Sequence, residues 1–420
     1  MSTAVAPRTE FRPDARYILL LGTMTALPAV ATDIYLPSLP EVARDLGTTA
    51  TAVQLTMTAT LIGGAFGQLV VGPLSDKLGR RAPVLIGVTL HIVTSLLCAV
   101  APGIGSLIAL RALQGFFNAS ATVVAMAVIR DRFVGADASR LISRLMLVIG
   151  VAPLFAPSVG GLIAGQFGWR AVFVALAVYG AVLWVVVFLR LPETLPPERR
   201  RTGGLRSALG GYRSLLRDGH FVALAVLPGL GMAVLFAYVV GSPFVLRQEY
   251  GLTAHQFALL FAVNGIGLVA GAQVNAALVQ RVAPIRILRV ALPAVLVLAL
   301  VLVAVVATGL GGLAGVLVVL FALLSLINLI APNASALALS RHGEMAGTAA
   351  AFIGCLQAGV AGGVSPLVGV FGGDARGMSV VMAGAAAVAV AVLAVATPAY
   401  RRGGWHHSGR RSGEPALARG

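Results

Sequence analysis

Charge is scarce in this chain. Only 11% of its 420 residues are charged, 58% are hydrophobic, and the mean hydropathy is +0.93. A water-soluble globular domain must cover itself with polar groups, so this balance excludes one and leaves a chain that lives in lipid. Acids are scarcer still, 15 against 31 basic residues, for a formal net charge of +16. Spread over one surface, that excess would suit nucleic acid. Here it is confined to short gaps between apolar runs, so no nucleic-acid partner is expected. The two cysteines, Cys98 and Cys355, lie within apolar runs and do not indicate a disulfide framework. The single lysine, Lys77, sits between Asp76 and Leu78, so the Gly-Lys-Ser/Thr of a phosphate-binding loop is missing. Paired catalytic carboxylates, a metal cluster or a nucleophile with its base are missing too. No enzyme, cofactor or metal ion is expected. The segment to Arg16 carries Glu10, Asp14 and three arginines with no small-residue cleavage pattern, and no removable signal peptide is expected.

What the chain has in quantity is apolar runs of bilayer-spanning length. They fall at about 17–36, 51–72, 83–101, 105–128, 142–164, 169–189, 220–241, 255–279, 287–306, 310–332, 346–370 and 377–397. The expected fold class is all-α integral membrane, with twelve transmembrane helices as two six-helix repeats around a central cavity. The weakest divider is the Gly-rich stretch 309–315, which no charge marks. With the N-terminus inside, 26 of the 31 basic residues lie on the cytoplasmic side and four outside (Arg44, Arg170, Arg247 and Arg376), with Arg111 within a span. The positive-inside rule thus places both termini in the cytoplasm.

The halves repeat. A shift of 201 residues sets Gly64, Arg80, Ala82 and Pro83 on Gly265, Arg281, Ala283 and Pro284, and a shift of 209 sets Gly150, Pro157 and Gly160 on Gly359, Pro366 and Gly369. Duplication of a six-helix unit follows. The expected divisions are a cytoplasmic tail 1–16, a first bundle 17–189, a Pro- and Gly-rich cytoplasmic linker 190–219, a second bundle 220–397 and a tail 398–420. Parallel six-helix repeats about a cavity are an architecture that supports alternating access.

Between the second and third runs lies Gly72-Pro73-Leu74-Ser75-Asp76-Lys77-Leu78-Gly79-Arg80-Arg81-Ala82-Pro83, a tight basic turn. Glycines allow the reversal, Asp76 can hold neighbouring donors or a helix N-terminus, and the cations hold the turn on the cytoplasmic side. A gating role is expected for Asp76, Lys77, Gly79, Arg80 and Arg81, with Arg130. Asp76 is expected to bond Arg130 and the N-terminus of the helix starting near 343–347. The second copy of the turn has Ala277 where Asp76 stands, so the charged latch is expected mainly in the first half.

Two charged side chains fall clearly inside spans, Asp33 and Arg111. Intramembrane charges are costly and functional by default. At 1.5 Å per residue, Asp33 lies about 24 Å from the cytoplasmic end of its helix and Arg111 about 9 Å below the outer end, in a core of about 30 Å. Both are expected at one depth, where partial pairing or a shared water-filled cavity makes both tolerable. A carboxylate poised between desolvation and a nearby cation can exchange a proton. The alternative ends the first helix at Thr32, leaves Asp33 in an outer loop and lets Arg111 snorkel upward.

The turn resembles, position for position, the signature loop between helices 2 and 3 of major facilitator superfamily transporters. Pro28 followed by Asp33-Ile34-Tyr35-Leu36-Pro37-Ser38-Leu39-Pro40 resembles the first-helix signature of the Bcr/CflA drug:proton antiporters. Arg111-Ala112-Leu113-Gln114-Gly115 is similar to the superfamily's fourth-helix motif, whose arginine is implicated in proton transfer. Gly150 and Pro157-Ser158-Val159-Gly160-Gly161 resemble the fifth-helix antiporter motif, whose small residues let helices 5 and 8 approach closely. Ala156 stands where that motif has glycine. The resemblance runs from about 17 to 397. It implies a proton-coupled exporter of small amphipathic drugs, amphenicol- or bicyclomycin-like, acting as a monomer in a bacterial plasma membrane. Asp33 and Arg111 would be its proton-coupling pair. A transporter of one endogenous metabolite is the alternative. Tyr35, His91, Asn118, Tyr238, Asn264, Asn328, Asn333 and Gln357 are candidates for substrate contact, although interhelical hydrogen bonds account equally well for buried amides.

Overall fold

Mixed polar and apolar ends, rather than the apolar runs alone, set where the helices stop. The computed structural model describes residues 15–133, 141, 155–200, 204–340, 342 and 345–396. Its first half comprises α1 (Ala15–Asp33), a 3-10 turn at Leu36–Ser38, the short α2 (Leu39–Asp45), α3 (Ala50–Leu78), α4 (Arg81–Ala99), α5 (Ile104–Arg132), α6 (155–167) and α7 (Trp169–Arg190). A linker helix α8 (Gly204–Arg217) leads into α9 (Gly219–Phe244), which ends in a π-helical turn at Val245–Glu249. There follow α10 (Ala254–Leu278), α11 (Pro284–Thr308), α12 (Gly312–Ile327), α13 (Ile330–Leu339), α14 (Ala346–Val364), α15 (Leu367–Val370) and α16 (Ala375–Ala396).

Eleven helical segments among the described residues are long and apolar enough to cross a bilayer. The remaining expected span, 142–164, is described only from residue 155, and Gly150 lies outside the described residues. The layout is the expected all-helical one, two six-helix repeats. At the unmarked divider the chain does reverse, with Gly309 and Gly311 both at φ 70°.

Several helices outrun their apolar cores. Both α3 and α5 run past their apolar cores by a turn or more, ending at Leu78 and Arg132. Of the acids in these last turns, Asp76 and Asp131 are bonded to Arg80, as described below. Thr49 caps α3 by accepting from the Ala52 N–H, and Thr253 caps α10 with Gln256 in a reciprocal box. Two spans are broken, at Asn328–Leu329 between α12 and α13 and at Ser365–Pro366 between α14 and α15. The two halves meet along α3 and α14, where the Thr58 and Ser365 hydroxyls bond at 3.1 Å.

Candidate functional site

Arg111 is fully buried on α5, at the centre of the first bundle. Its guanidinium donates to the Ala31 carbonyl of α1 (3.2 Å) and to Gln114 Oε1 (2.5 Å), and reaches the Met57 sulfur of α3 at 3.8 Å. The Tyr35 and Phe173 rings lie 5.0 and 5.7 Å from it, so aromatic faces from two more elements supply the electron density that a carboxylate would. Gln114 passes the network on by donating to Ser95 Oγ (2.7 Å), which donates to the His91 carbonyl of α4 (2.7 Å). Five elements therefore converge on one cation.

Asp33 is the last residue of α1 and is 8% exposed. The helix nearly ends where the alternative reading put it, yet the carboxylate does not enter an outer loop. Tyr35, Leu36, Pro37, Ser38 and Leu39, which follow it in a turn, are themselves buried. Among the described residues, no hydrogen bond or ion pair reaches the Asp33 carboxylate. Arg111 grips the backbone two residues earlier, at Ala31, without pairing with Asp33. A buried carboxylate with neither donor nor cation is compensated only when a proton or a cation arrives. The juxtaposition supplies a group able to take up either.

Gly160 on α6 sits directly against this segment. A Cβ at residue 160 would lie 1.8 Å from the Ile34 carbonyl oxygen, one residue beyond Asp33, so backbone meets backbone there. Gly160→Ala is expected to push α6 away and cost about 1–3 kcal/mol, read as thermal unfolding in detergent; an unchanged midpoint would show that α6 yields freely. Pro157 is buried on the same helix, whereas Gly161 faces α10 across a groove of about 370 Å³ shared with Ser158, Leu162, His255 and Ala258. Along this stretch the groove lies between the two helices.

The basic turn forms a second cluster. Gly79 adopts φ 95°, a conformation that disfavours any other residue, and lets the chain turn from α3 into α4. Arg80 is nearly buried and donates to Asp76 (2.6 Å), to Ser75 Oγ (2.8 Å) and to Asp131 at the end of α5 (2.8 Å). Glu193, at the start of the linker, accepts the backbone N–H groups of Arg80 (2.8 Å), Arg81 (3.2 Å), Thr194 (3.0 Å) and Leu195 (3.0 Å). Arg81 reaches the Phe188 carbonyl at 2.6 Å, with the guanidinium 5.1 Å from that ring, and Lys77 is exposed.

Asp76 thus binds Arg80 within its own turn rather than Arg130 and the distant helix. Arg130 itself is what approaches the other half, lying 3.7 Å from where a Cβ on Gly347 would sit at the start of α14. Sequence reasoning missed Asp131 and Glu193 as partners. Asp131 is a lone acid between Arg130 and Arg132, and asking what neutralises Arg80 would have found it; Glu193 binds backbone N–H groups, which no charge pattern marks.

Burial pushes the Glu193 carboxyl up, but its backbone donors outweigh that and hold it below the usual carboxylate range. With the folded value lowered, its stabilisation is fully present above the ordinary glutamate value of about 4.3. It is lost as the pH falls through the folded value. Glu193→Gln is expected to lower stability at pH 7 by about 1 kcal/mol, the scale of a helix cap. The deficit should shrink as the solution is acidified through that window; equal midpoints at neutral pH would contradict this.

The remaining polar candidates separate by partner. His91 Nε2 lies 3.3 Å from the Leu176 carbonyl, and Asn118 is within reach of the His91 ring without a bond of standard geometry. Asn264 donates to the Tyr238 hydroxyl (2.9 Å), and the Tyr238 ring stacks on Phe261 at 5.4 Å. Asn328 donates to the Leu268 carbonyl (2.6 Å) at the break between α12 and α13, and Asn333 donates to Asn275 Oδ1 (2.6 Å). These amides tie helices to each other in this structure. Gln357 is half-buried on α14.

Comparison with known proteins bears on the whole arrangement. The MFS-type transporter YdgK of Bacillus subtilis is 36% identical over 353 residues, covering 84% of this chain and 88% of that protein. The bicyclomycin resistance protein homolog of Haemophilus influenzae is 32% identical over 352 residues, with the same two coverages. The crystal structure of the nucleoside transporter NupG superposes with a TM-score of 0.72 over 90% of this chain and 98% of that one. At 14% identity, it shows the fold alone. The sequence profile of the Major Facilitator Superfamily matches residues 21–366, and the chain belongs to that family of multi-pass membrane transporters.

Proposed function

We propose that this transporter exports small amphipathic drugs, of the bicyclomycin or amphenicol kind, in exchange for protons by alternating access. It would do so as a monomer in a bacterial plasma membrane with both termini in the cytoplasm. The observation that carries the reading is the buried, unpartnered Asp33 carboxylate beside the strand of backbone that Arg111 grips. Asp33 is the proton carrier. Arg111 remains charged in any environment reached here and acts by approaching or leaving that carboxylate as the cavity turns, not by carrying the proton. The relative named for bicyclomycin resistance supports the drug class.

The gate is the basic turn with Arg130. Asp76, Arg80, Asp131 and Glu193 brace the cytoplasmic ends of α3, α4 and α5 as one block, which lets Arg130 meet the start of α14 when the inner side closes. Cells expressing the chain should accumulate less labelled bicyclomycin or chloramphenicol than cells without it, and an uncoupler should remove the difference. Accumulation that is lowered equally with the uncoupler present would count against proton drive.

A further inference from the structure

Among the described residues, a side-chain hydrogen bond joins the halves on the outer side, near where Gly369 packs on Thr51 and Gln54, and none of the proposed machinery uses it. Arg247 sits in the π-helical turn that ends α9 and donates through Nη1 to the Pro37 carbonyl of the first half. The donor is rigidly mounted. Val245 and Leu246 are buried, the Leu252 N–H bonds the Leu246 carbonyl at 3.0 Å, and Glu249 accepts the Ala375 N–H at the start of α16 (2.9 Å). The acceptor is equally placed. Residue 40 is proline and has no N–H with which to close a turn onto the Pro37 oxygen, so that oxygen remains available to a side chain.

Arg247 is partly buried, and its Nε has no protein acceptor. The charges facing it are Glu41 and Arg44 of α2, one attractive and one repulsive. Among the described residues no carboxylate is bound to its head, so its grip on the other half is this charge-assisted bond to a carbonyl, a contact that can be made and broken without separating an ion pair.

Its acceptor lies four residues from Asp33. Between them is Tyr35, whose ring lies 5.0 Å from the Arg111 guanidinium and whose hydroxyl is 3.5 Å from Thr56 Oγ1. Any movement of the Asp33 segment toward or away from Arg111 is therefore transmitted over a single buried turn to the oxygen that Arg247 holds. We propose that Arg247 is the outer-gate latch: a positioning residue that keeps the outer side shut by holding the Pro37 carbonyl, and that links release of the gate to the state of the Asp33 segment. This rests on the alternating-access reading and on the orientation proposed above.

The test uses spin labels on the full-length protein with Cys98 and Cys355 replaced by alanine. One pair, at Gly105 and Leu310, spans the outer loops; another, at Leu78 and Gln280, spans the inner ones. Losing one charge-assisted bond should raise the ratio of outer-open to outer-closed molecules about tenfold. Arg247→Ala should accordingly add a longer component to the outer distances and a shorter one to the inner distances, and Arg247→Lys, which keeps one charged donor, should restore part of the native distribution. A merely structural role would broaden both pairs alike and gain nothing from lysine. Outer distances identical in Arg247→Ala and the native protein would overturn the proposal.

Because these distances are read without drug or a proton gradient, they stand apart from whether the chain exports drugs. A second variant keeps Arg247 in place. Arg44→Cys on α2 with Gln248→Cys, both exposed positions flanking the latch, joined by a short bifunctional thiol reagent in the protein with Cys98 and Cys355 replaced by alanine, should halt transport until the link is reduced. Failure to link at all, or linkage with transport unimpaired, would show that the two segments do not form an opening gate.

Discussion

Asp33→Asn is expected to insert and fold as the native chain does and to lose proton-coupled efflux. The structure gives the reason for the first half of that statement. Among the described residues the carboxylate makes no hydrogen bond or ion pair, so an amide of the same shape removes no contact and leaves no partner stranded. The second half follows if the carboxylate is the group that accepts the proton, because asparagine accepts none. Efflux driven by a pH gradient should fall roughly a hundredfold, the low end of what removing a proton-transferring group costs. Binding of drug to the detergent-solubilised protein should persist, now without dependence on pH. Native pH-driven efflux in Asp33→Asn would end the assignment.

Arg111→Ala is expected to damage both stability and coupling. It removes the donor for the Ala31 carbonyl and for Gln114 Oε1, and it empties the space beside the Tyr35 and Phe173 rings, whose own centroids lie 5.1 Å apart. Two buried acceptors left without their donor and a cavity beside the rings together cost about 2–4 kcal/mol. Stability alone would not establish the role. The informative readout is the pH dependence of drug binding, which should move in Arg111→Ala. Arg111→Lys should return the charge but not the forked geometry, and so recover binding better than efflux. A binding titration superimposable on the native one across pH would show that Arg111 holds helices together and does no more.

The spans, their number and the two intramembrane charges were legible in the sequence because hydropathy acts over twenty residues at a time and a charge in such a stretch stands out. The helix ends were less so. Hydropathy ends α3 near Gly72, but the helix runs on to Leu78, because Arg80 and Ser75 satisfy the polar groups of its last turn. Arg111 was visible and its surroundings were not. Gln114, Ser95, Met57 and Phe173 come from four different helices, and which of them face each other is decided by how the helices pack. Asp76 pairs with Arg80 four residues on, across the turn at Gly79, while the sequence reading looked for a partner in the other half. Asn264 and Tyr238, both read as substrate candidates, are bonded to each other, a pairing that spacing along one chain could not reveal.

Movement of protons and drug in opposite directions through one site can be read by reconstituting the purified chain in sealed vesicles with a pH-sensitive dye inside and adding bicyclomycin or chloramphenicol to one side. A drug gradient alone should drive protons the opposite way, and Asp33→Asn vesicles should show no proton movement. Drug crossing the membrane with no change in internal pH in the native protein, or with protons moving in the same direction as the drug, would contradict it.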